Sequence, residues 1–301
     1  MRSLTIDAFA KINLTLIVQS RRLDGLHEVR TVLQTVDLSD RLTFVSRAGP
    51  LRLRCKGADL PEDRTNLVWR AATELWRAGG RQGEPRDLSI VVVKRIPIRA
   101  GLGGGSSDAA ATLIGLRKLW NLAMAPREVT QIAARLGADV PFFLTGGAAV
   151  GVGRGDEIFP VTDLPTWWVL IVTPPFGVST SDAYAWKDSD DDRPRSEMVE
   201  ARDPRLERTW LGRLPVLAND LEAAVARRHP VITEMVAALR DSGAMMAAMS
   251  GSGSAVFGLF PTEREARSAK RKLPPSAGTT FVVRLLSRAS FARRGHPVVR
   301  P

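Results

Sequence analysis

Between Pro97 and Leu113 the chain reads PIRAGLGGGSSDAAATL, and Gly101, Gly103, Gly104 and Gly105 surround the single side chain of Leu102. Both flanks are well patterned. LSIVVVKR before the run is β-branched and apolar, which predicts a buried strand. In DAAATLIGLRKLW after it, Leu113, Leu116, Leu119 and Trp120 keep helical spacing. A linker is not wedged this tightly between a strand and a helix, so the run places bare backbone at a helix N-terminus. Glycines let backbone N–H groups approach a polyphosphate closely, and a helix starting near Ser106 turns its positive end toward it. Ser106 and Ser107 add hydroxyls that cap the helix or touch phosphate. Two familiar phosphate loops do not fit. A Walker A loop needs Lys and Ser/Thr after the glycines, and a dinucleotide fingerprint needs a sixth-position glycine where this chain has Ser106.

At 301 residues, with an apolar share of 44% and a charged share of 25%, the chain suits two packed domains of an ordinary globular protein. No apolar run approaches the ~20 residues of a bilayer span, so no membrane association is expected. The opening MRSLTIDAFAKINLTLIV is interrupted and alternating, a strand rather than the continuous apolar core of a signal peptide. A single cysteine, Cys55, excludes an internal disulfide and a cysteine-built zinc site, and the expected location is the cytoplasm. The net charge of +11 comes from arginines spread along the chain, with one tyrosine in the whole sequence. A dedicated nucleic-acid binder concentrates basic and aromatic residues in a stripe. No nucleic-acid partner is expected, and the positive field suits anionic small substrates.

Strand-like and helical stretches alternate without a regular βαβ repeat, so the fold class is α+β. NLVWRAATELWRAGG and PREVTQIAARLG are helices ended by glycine, and PFFLTGGAAVGVGRG reads as a glycine-interrupted hairpin. Proline and polar residues near Glu157–Pro165 suggest a boundary, giving domains 1–160 and 161–301. In the second half WWVLIVTPP is a strand and KDSDDDRPRSE an acidic surface loop. NDLEAAVARRH and PVITEMVAALRDSG are helices, AMMAAMSGSGSAVFGLF is strand–turn–strand, TEREARSAKRKL a helix and TTFVVRLL a final strand.

Further motifs join the glycine run: AKINLTL with Lys11 on a strand, DGLHEV, LGADVPFF with Asp139 before Pro141, and a second glycine–serine loop in MSGSGSAVFG. Together they resemble the GHMP small-molecule kinases (galactokinase, homoserine kinase, mevalonate kinase and phosphomevalonate kinase). Within that superfamily the order and content of the motifs from about Phe9 to Phe257 most resemble the 4-diphosphocytidyl-2-C-methyl-D-erythritol kinase family. The resemblance implies a two-domain α+β kinase with its active site in the interdomain cleft. Its residues 1–160 would bind ATP and 161–301 would lie on the substrate side. The implied reaction is ATP- and Mg²⁺-dependent phosphorylation of the 2-hydroxyl of a cytidine diphosphate methylerythritol, a small-molecule partner, in the non-mevalonate route to isoprenoid precursors. Another GHMP kinase acting on homoserine or mevalonate is the alternative; DGLHEV and LGADVPFF argue against it.

The resemblance also implies roles for particular residues. Lys11 and Asp139 form the catalytic pair: a carboxylate near the acceptor hydroxyl can take its proton, and an ammonium can stabilise charge on the reacting oxygens. Pro97, Gly101, Gly103, Gly104, Gly105, Ser106 and Ser107 wrap the phosphates, Asn66 and Lys94 lie near the adenine, and Ser107 is the metal candidate. Asn13, two residues after Lys11 and so on the same strand face, contacts the substrate. His27 reads the cytosine edge. Relatives often carry a stacking tyrosine before that histidine, where this chain has Leu26, so Trp186 or Tyr184 is expected to supply the platform, Trp186 preferred for its larger ring. Arg99 stands where relatives commonly have a small residue.

Overall fold

The long alternation at the N-terminus makes strand β1 (Ser3–Arg21), which pairs antiparallel along its length with β2 (His27–Pro50). The computed structural model describes residues 3–190 and 218–300. β3 (Arg52–Lys56) and β4 (Arg86–Val93) extend the far end of β2, while β5 (Ala148–Val152) and β6 (Glu157–Pro160) extend its near end. Three helices cover one face: α1 (Leu67–Ala78), α2 (Gly104–Leu119) and α3 (Pro126–Leu136). Leu4, Ile6, Leu42, Phe44 and Ile90 from the strands meet Leu75, Leu113, Leu116 and Ile132 from the helices in a buried core.

The second sheet is antiparallel, in the order Thr279–Arg284, Trp168–Thr173 (β7), Val256–Phe260, Met246–Met249. Alternation along β7 shows why it is buried on both sides. Val169 and Ile171 face Ala10, Ile12 and Leu14 of β1, while Leu170 and Val172 face helices of the second half. The two sheets therefore pack on each other, with helices on both outer faces, and the class is α+β as expected.

The remaining elements are α4 (Phe142–Thr145), α5 (Thr180–Asp190), β8 (Ala218–Asn219), α6 (Glu222–Arg228), α7 (Val231–Asp241), β9 (Met246–Met249), β10 (Val256–Phe260), α8 (Glu263–Lys272), β11 (Thr279–Arg284), α9 (Arg288–Arg294) and β12 (Val298–Arg300). Three departures from the sequence reading follow. The stretch read as a hairpin opens with the short helix α4, because Pro141 starts a turn that the left-handed Gly146 and Gly147 end (φ 64° and 69°). Only from Ala148 does it become a hairpin. Lys187–Asp190, read as the start of an acidic loop, are the last turn of α5; the rest of KDSDDDRPRSE lies outside the described residues. The basic tail returns to the first sheet: β12 pairs with β1, and Phe291 of α9 packs on Phe9 with ring centroids 5.9 Å apart. Among the described residues no helix is long and apolar enough to cross a membrane.

Candidate active site

The glycine run turns out to serve two close approaches. Gly101 is left-handed (φ 73°), and a Cβ there would lie 2.0 Å from the Ser250 carbonyl oxygen of the second glycine–serine loop. Gly103 is also left-handed (φ 70°), and its Cβ would lie 2.7 Å from Phe143 and 3.0 Å from Cγ of Lys11. Gly103 is the N-cap of α2 and supplies no side-chain cap, so the helix does not begin with Ser106 or Ser107 as their N-cap. The first N–H groups of α2 have no intrahelical acceptor, which is what an anion site needs. Gly105 and Ser106 line the cleft above them. Ser107 does not join them. Its hydroxyl donates to the Phe9 carbonyl oxygen at 2.7 Å, on the β1 side of the helix, and it does not line the cleft.

Lys11 and Asn13 share the face of β1 that opens on this loop. Lys11 is buried, its Nζ donating to Asn13 Oδ1 at 2.5 Å and lying 3.5 Å from Asp139 Oδ2. Asp139 sits in the turn between α3 and α4, and its side chain remains 38% exposed. The pair foreseen in the sequence is therefore brought together, one member fixed and the other accessible. Asn13 in turn donates from Nδ2 to Thr31 Oγ1 at 2.8 Å. Ser250 ties the assembly, accepting from Asn13 N at 3.2 Å and donating to the Gly101 carbonyl at 3.0 Å. Asn219 holds the second loop by donating to the Met249 and Gly251 carbonyls, each at 2.8 Å.

On the other side of α2 a slot is lined by Leu60, Pro61, Val68, Val92 and Ile96. Asn66 borders it and is also the N-cap of α1, accepting from Val68 N at 2.9 Å. Lys94 is buried and lies between two buried carboxylates, Asp40 and, at 2.6 Å, Asp108. Asp40 also accepts from the backbone of Arg95 and Ile96, which fixes the strand exit leading into the glycine run. Burial, partly offset by Lys94, pushes the Asp108 carboxyl up to about 8, and its Oδ1 is buried without a partner.

At the opposite end of the cleft His27 is buried, with Nε2 2.9 Å from Asp188 Oδ1 and its ring stacked on Tyr184 (centroids 5.2 Å apart, planes 28° apart). Tyr184 lines the cleft. Trp186 does not: it packs against His229, with the Arg228 guanidinium 5.2 Å from its ring centroid. The two aromatics weighed in the sequence thus separate, Tyr184 on the cleft and Trp186 off it. Leu26 lies exposed at the rim. Arg99 adopts a left-handed backbone (φ 51°), its carbonyl accepting from Val178 N at 3.1 Å, and it lines the same cleft.

Lys11, Asn13, Asp139, Asp108, His27 and Tyr184 face one continuous cleft of about 1050 Å³ that the start of α2 also lines. The chain matches the family descriptions "GHMP kinases N terminal domain" over residues 66–147 and "GHMP kinases C terminal" over residues 204–279. It is 41% identical over 289 residues to the 4-diphosphocytidyl-2-C-methyl-D-erythritol kinase of Moorella thermoacetica, covering 95% of this chain and 100% of that one. The chain belongs to the 4-diphosphocytidyl-2-C-methyl-D-erythritol kinase family. The enzyme of that name from Geobacter metallireducens is 39% identical over 92% of this chain and 96% of its own. The crystal structure of a 4-(cytidine 5'-diphospho)-2C-methyl-D-erythritol kinase superposes with a TM-score of 0.76 at 34% identity, covering 93% of this chain and 98% of that one. A homoserine kinase from Cytophaga hutchinsonii shares the fold at 19% identity, with a TM-score of 0.73 over 99% of this chain and 97% of that one.

Family membership makes the residues missed in the sequence more telling. Asp108 directly follows the two serines and was legible as part of the loop, but its pairing with Lys94 was not. Asp40, Asn219 and Asp188 sit in unremarkable local sequence, and only the packing of β2, β8 and α5 against the cleft gives them partners.

Proposed function

We propose that the protein transfers the γ-phosphoryl group of ATP to the 2-hydroxyl of 4-diphosphocytidyl-2-C-methyl-D-erythritol, with ADP as the second product. The observation that carries this reading is the Lys11–Asp139 pair, 3.5 Å apart in a cleft that has the bare terminus of α2 on one side and His27 with Tyr184 on the other. Asp139, accessible at its turn, takes the proton of the acceptor hydroxyl. Lys11, held by Asn13, carries its positive charge to the reacting oxygens without reorganising. Glycine-loop and α2 N–H groups hold the phosphate chain. The slot beside Asp108 takes the base, and the unpartnered Asp108 Oδ1 is left to meet a polar atom of its edge.

Residues 1–160 in this reading supply the ATP side, and 161–301 complete the pyrimidine side through Tyr184. ATP with Mg²⁺ supplies the phosphoryl group and the charge neutralisation such transfers use. Among the described residues no cluster of three His, Cys, Asp or Glu is placed to hold a metal, and the Ser107 hydroxyl is turned away. That donor set fits a magnesium carried by phosphate oxygens and water rather than caged by protein. Trp186 keeps a structural role in this reading.

The test is ADP release from ATP with the cytidine diphosphate methylerythritol, with homoserine and mevalonate as controls. Turnover with the cytidine compound alone is expected. Turnover with homoserine or mevalonate and none with the cytidine compound overturns the reading.

A further inference from the structure

The end of α5 was read from sequence as acidic surface loop, yet Asp188 meets His27, a residue that lines the cleft. One carboxylate oxygen meets His27 Nε2 at 2.9 Å and the other accepts from Arg21 at 2.8 Å. His27 is buried, and its ring plane is set by the stack on Tyr184. No hydrogen bond from a described residue occupies its Nδ1, which is not among the sealed polar atoms of the interior, and the residue lines the cleft. We propose that Asp188 is a positioning residue for base specificity: it holds His27 as the Nε2–H tautomer, so that Nδ1 presents a lone pair to the pyrimidine and the site accepts cytosine but rejects uracil. This rests on the function proposed above.

The chemistry follows from the inventory of donors and acceptors. A carboxylate only accepts, so the imidazole nitrogen facing it must carry the hydrogen, and in a neutral ring the other nitrogen is then an acceptor. Burial keeps His27 below its ordinary pKa, and the neighbouring Arg21 and Lys187 charges act in the same direction, while Asp188 opposes them. Near neutral pH the ring is therefore uncharged and has one donor and one acceptor. Cytosine carries an amino donor at position 4, which suits the lone pair. Uracil carries a carbonyl there, which sets two acceptors face to face. Exchanging a buried hydrogen bond for an unpaired acceptor is worth a factor on the order of 10–10² in kcat/KM.

Two measurements on the full chain decide this. The chain has three histidines, so nitrogen-15 spectra of histidine-labelled protein resolve each ring. The wild type is expected to show His27 as Nε2–H near pH 7.5, and Asp188→Ala to shift it toward a mixture containing Nδ1–H. In kinetics, the preference for the cytidine substrate over its uridine counterpart is expected to fall about tenfold or more in Asp188→Ala. Asp188→Asn should retain the preference, because the amide oxygen can accept the same bond while Arg21, whose side chain is 55% exposed, moves into solvent. A purely structural role would lower both substrates together and leave their ratio unchanged. An Nδ1–H ring in the wild type overturns the proposal, as does an unchanged ratio in a folded Asp188→Ala. If the wild type turns over neither compound, the function reading fails, and the tautomer spectrum alone still decides the role of Asp188.

Discussion

Replacing Asp139 by Asn tests whether the accessible member of the central pair is a base. The amide is nearly isosteric but cannot take a proton, so kcat is expected to fall by a factor on the order of 10²–10⁴, about 3–5.5 kcal/mol in the barrier. Stability should hardly respond: the Asp139 side chain is 38% exposed and its ion pair with Lys11 spans 3.5 Å, which puts the pair below about 1 kcal/mol. Lys11→Met behaves differently, because Lys11 is buried and donates to Asn13 Oδ1. Removing that donor strands a buried amide oxygen and costs about 1–3 kcal/mol of stability in addition to the lost rate. The pair of variants therefore separates chemistry from folding: the first loses rate alone, the second loses both. If the two residues act as one unit, the double variant is little slower than the worse single one. Single-turnover phosphoryl transfer and urea unfolding, run on the same preparations, read the two quantities. Near-normal turnover in Asp139→Asn would refute the base assignment. A stability loss in that variant as large as in Lys11→Met would show that the pair is primarily structural.

The left-handed Gly103 and its contacts with Phe143 and Lys11 make Gly103→Ala costly, about 1–2 kcal/mol for the backbone alone; Gly105→Ala, helical and 3.6 Å from Leu67, should hold or raise the melting temperature. Tyr184→Ala should raise KM for the cytidine substrate about tenfold, near 1.4 kcal/mol of stacking, while Trp186→Ala leaves it close to wild type; the reverse order in steady-state kinetics would return the platform to Trp186. Lys94→Met leaves Asp40 and Asp108 buried without their cation and should cost about 3–5 kcal/mol in chemical unfolding. The pH dependence has a definite sign: a carboxyl raised from 3.8 to about 8 in the fold favours the native state at low pH, and that contribution is lost as the pH rises through about 8. Without Lys94 the carboxyl rises further, so the variant's stability should fall more steeply on the alkaline side than the wild type's; parallel pH profiles would contradict this.

How much of this was legible in the sequence depends on how local each cause is. The strand, glycine run and helix around residues 88–119 are fixed by side-chain period and by glycine's access to left-handed backbone, both properties of a few consecutive residues. The order of the motifs was enough to indicate the family and to pair Lys11 with Asp139. Tertiary structure decided the rest. Lys94 was read as lying near the adenine, and it is buried because Asp40, 54 residues away, and Asp108 close around it. Ser107 was read as a phosphate or metal contact, but once α2 begins at Gly104 its hydroxyl falls on the face turned toward β1. Tyr184 and Trp186 differ by two positions on one helix, roughly 200° of rotation, so they cannot share a face. Which of them meets the substrate depends on how α5 docks against β1 and α6, and Asp188 reaches His27 by the same docking. Local sequence sets backbone geometry over a few residues. The partner of a buried charge or ring is set by segments that only the packing of two sheets brings together.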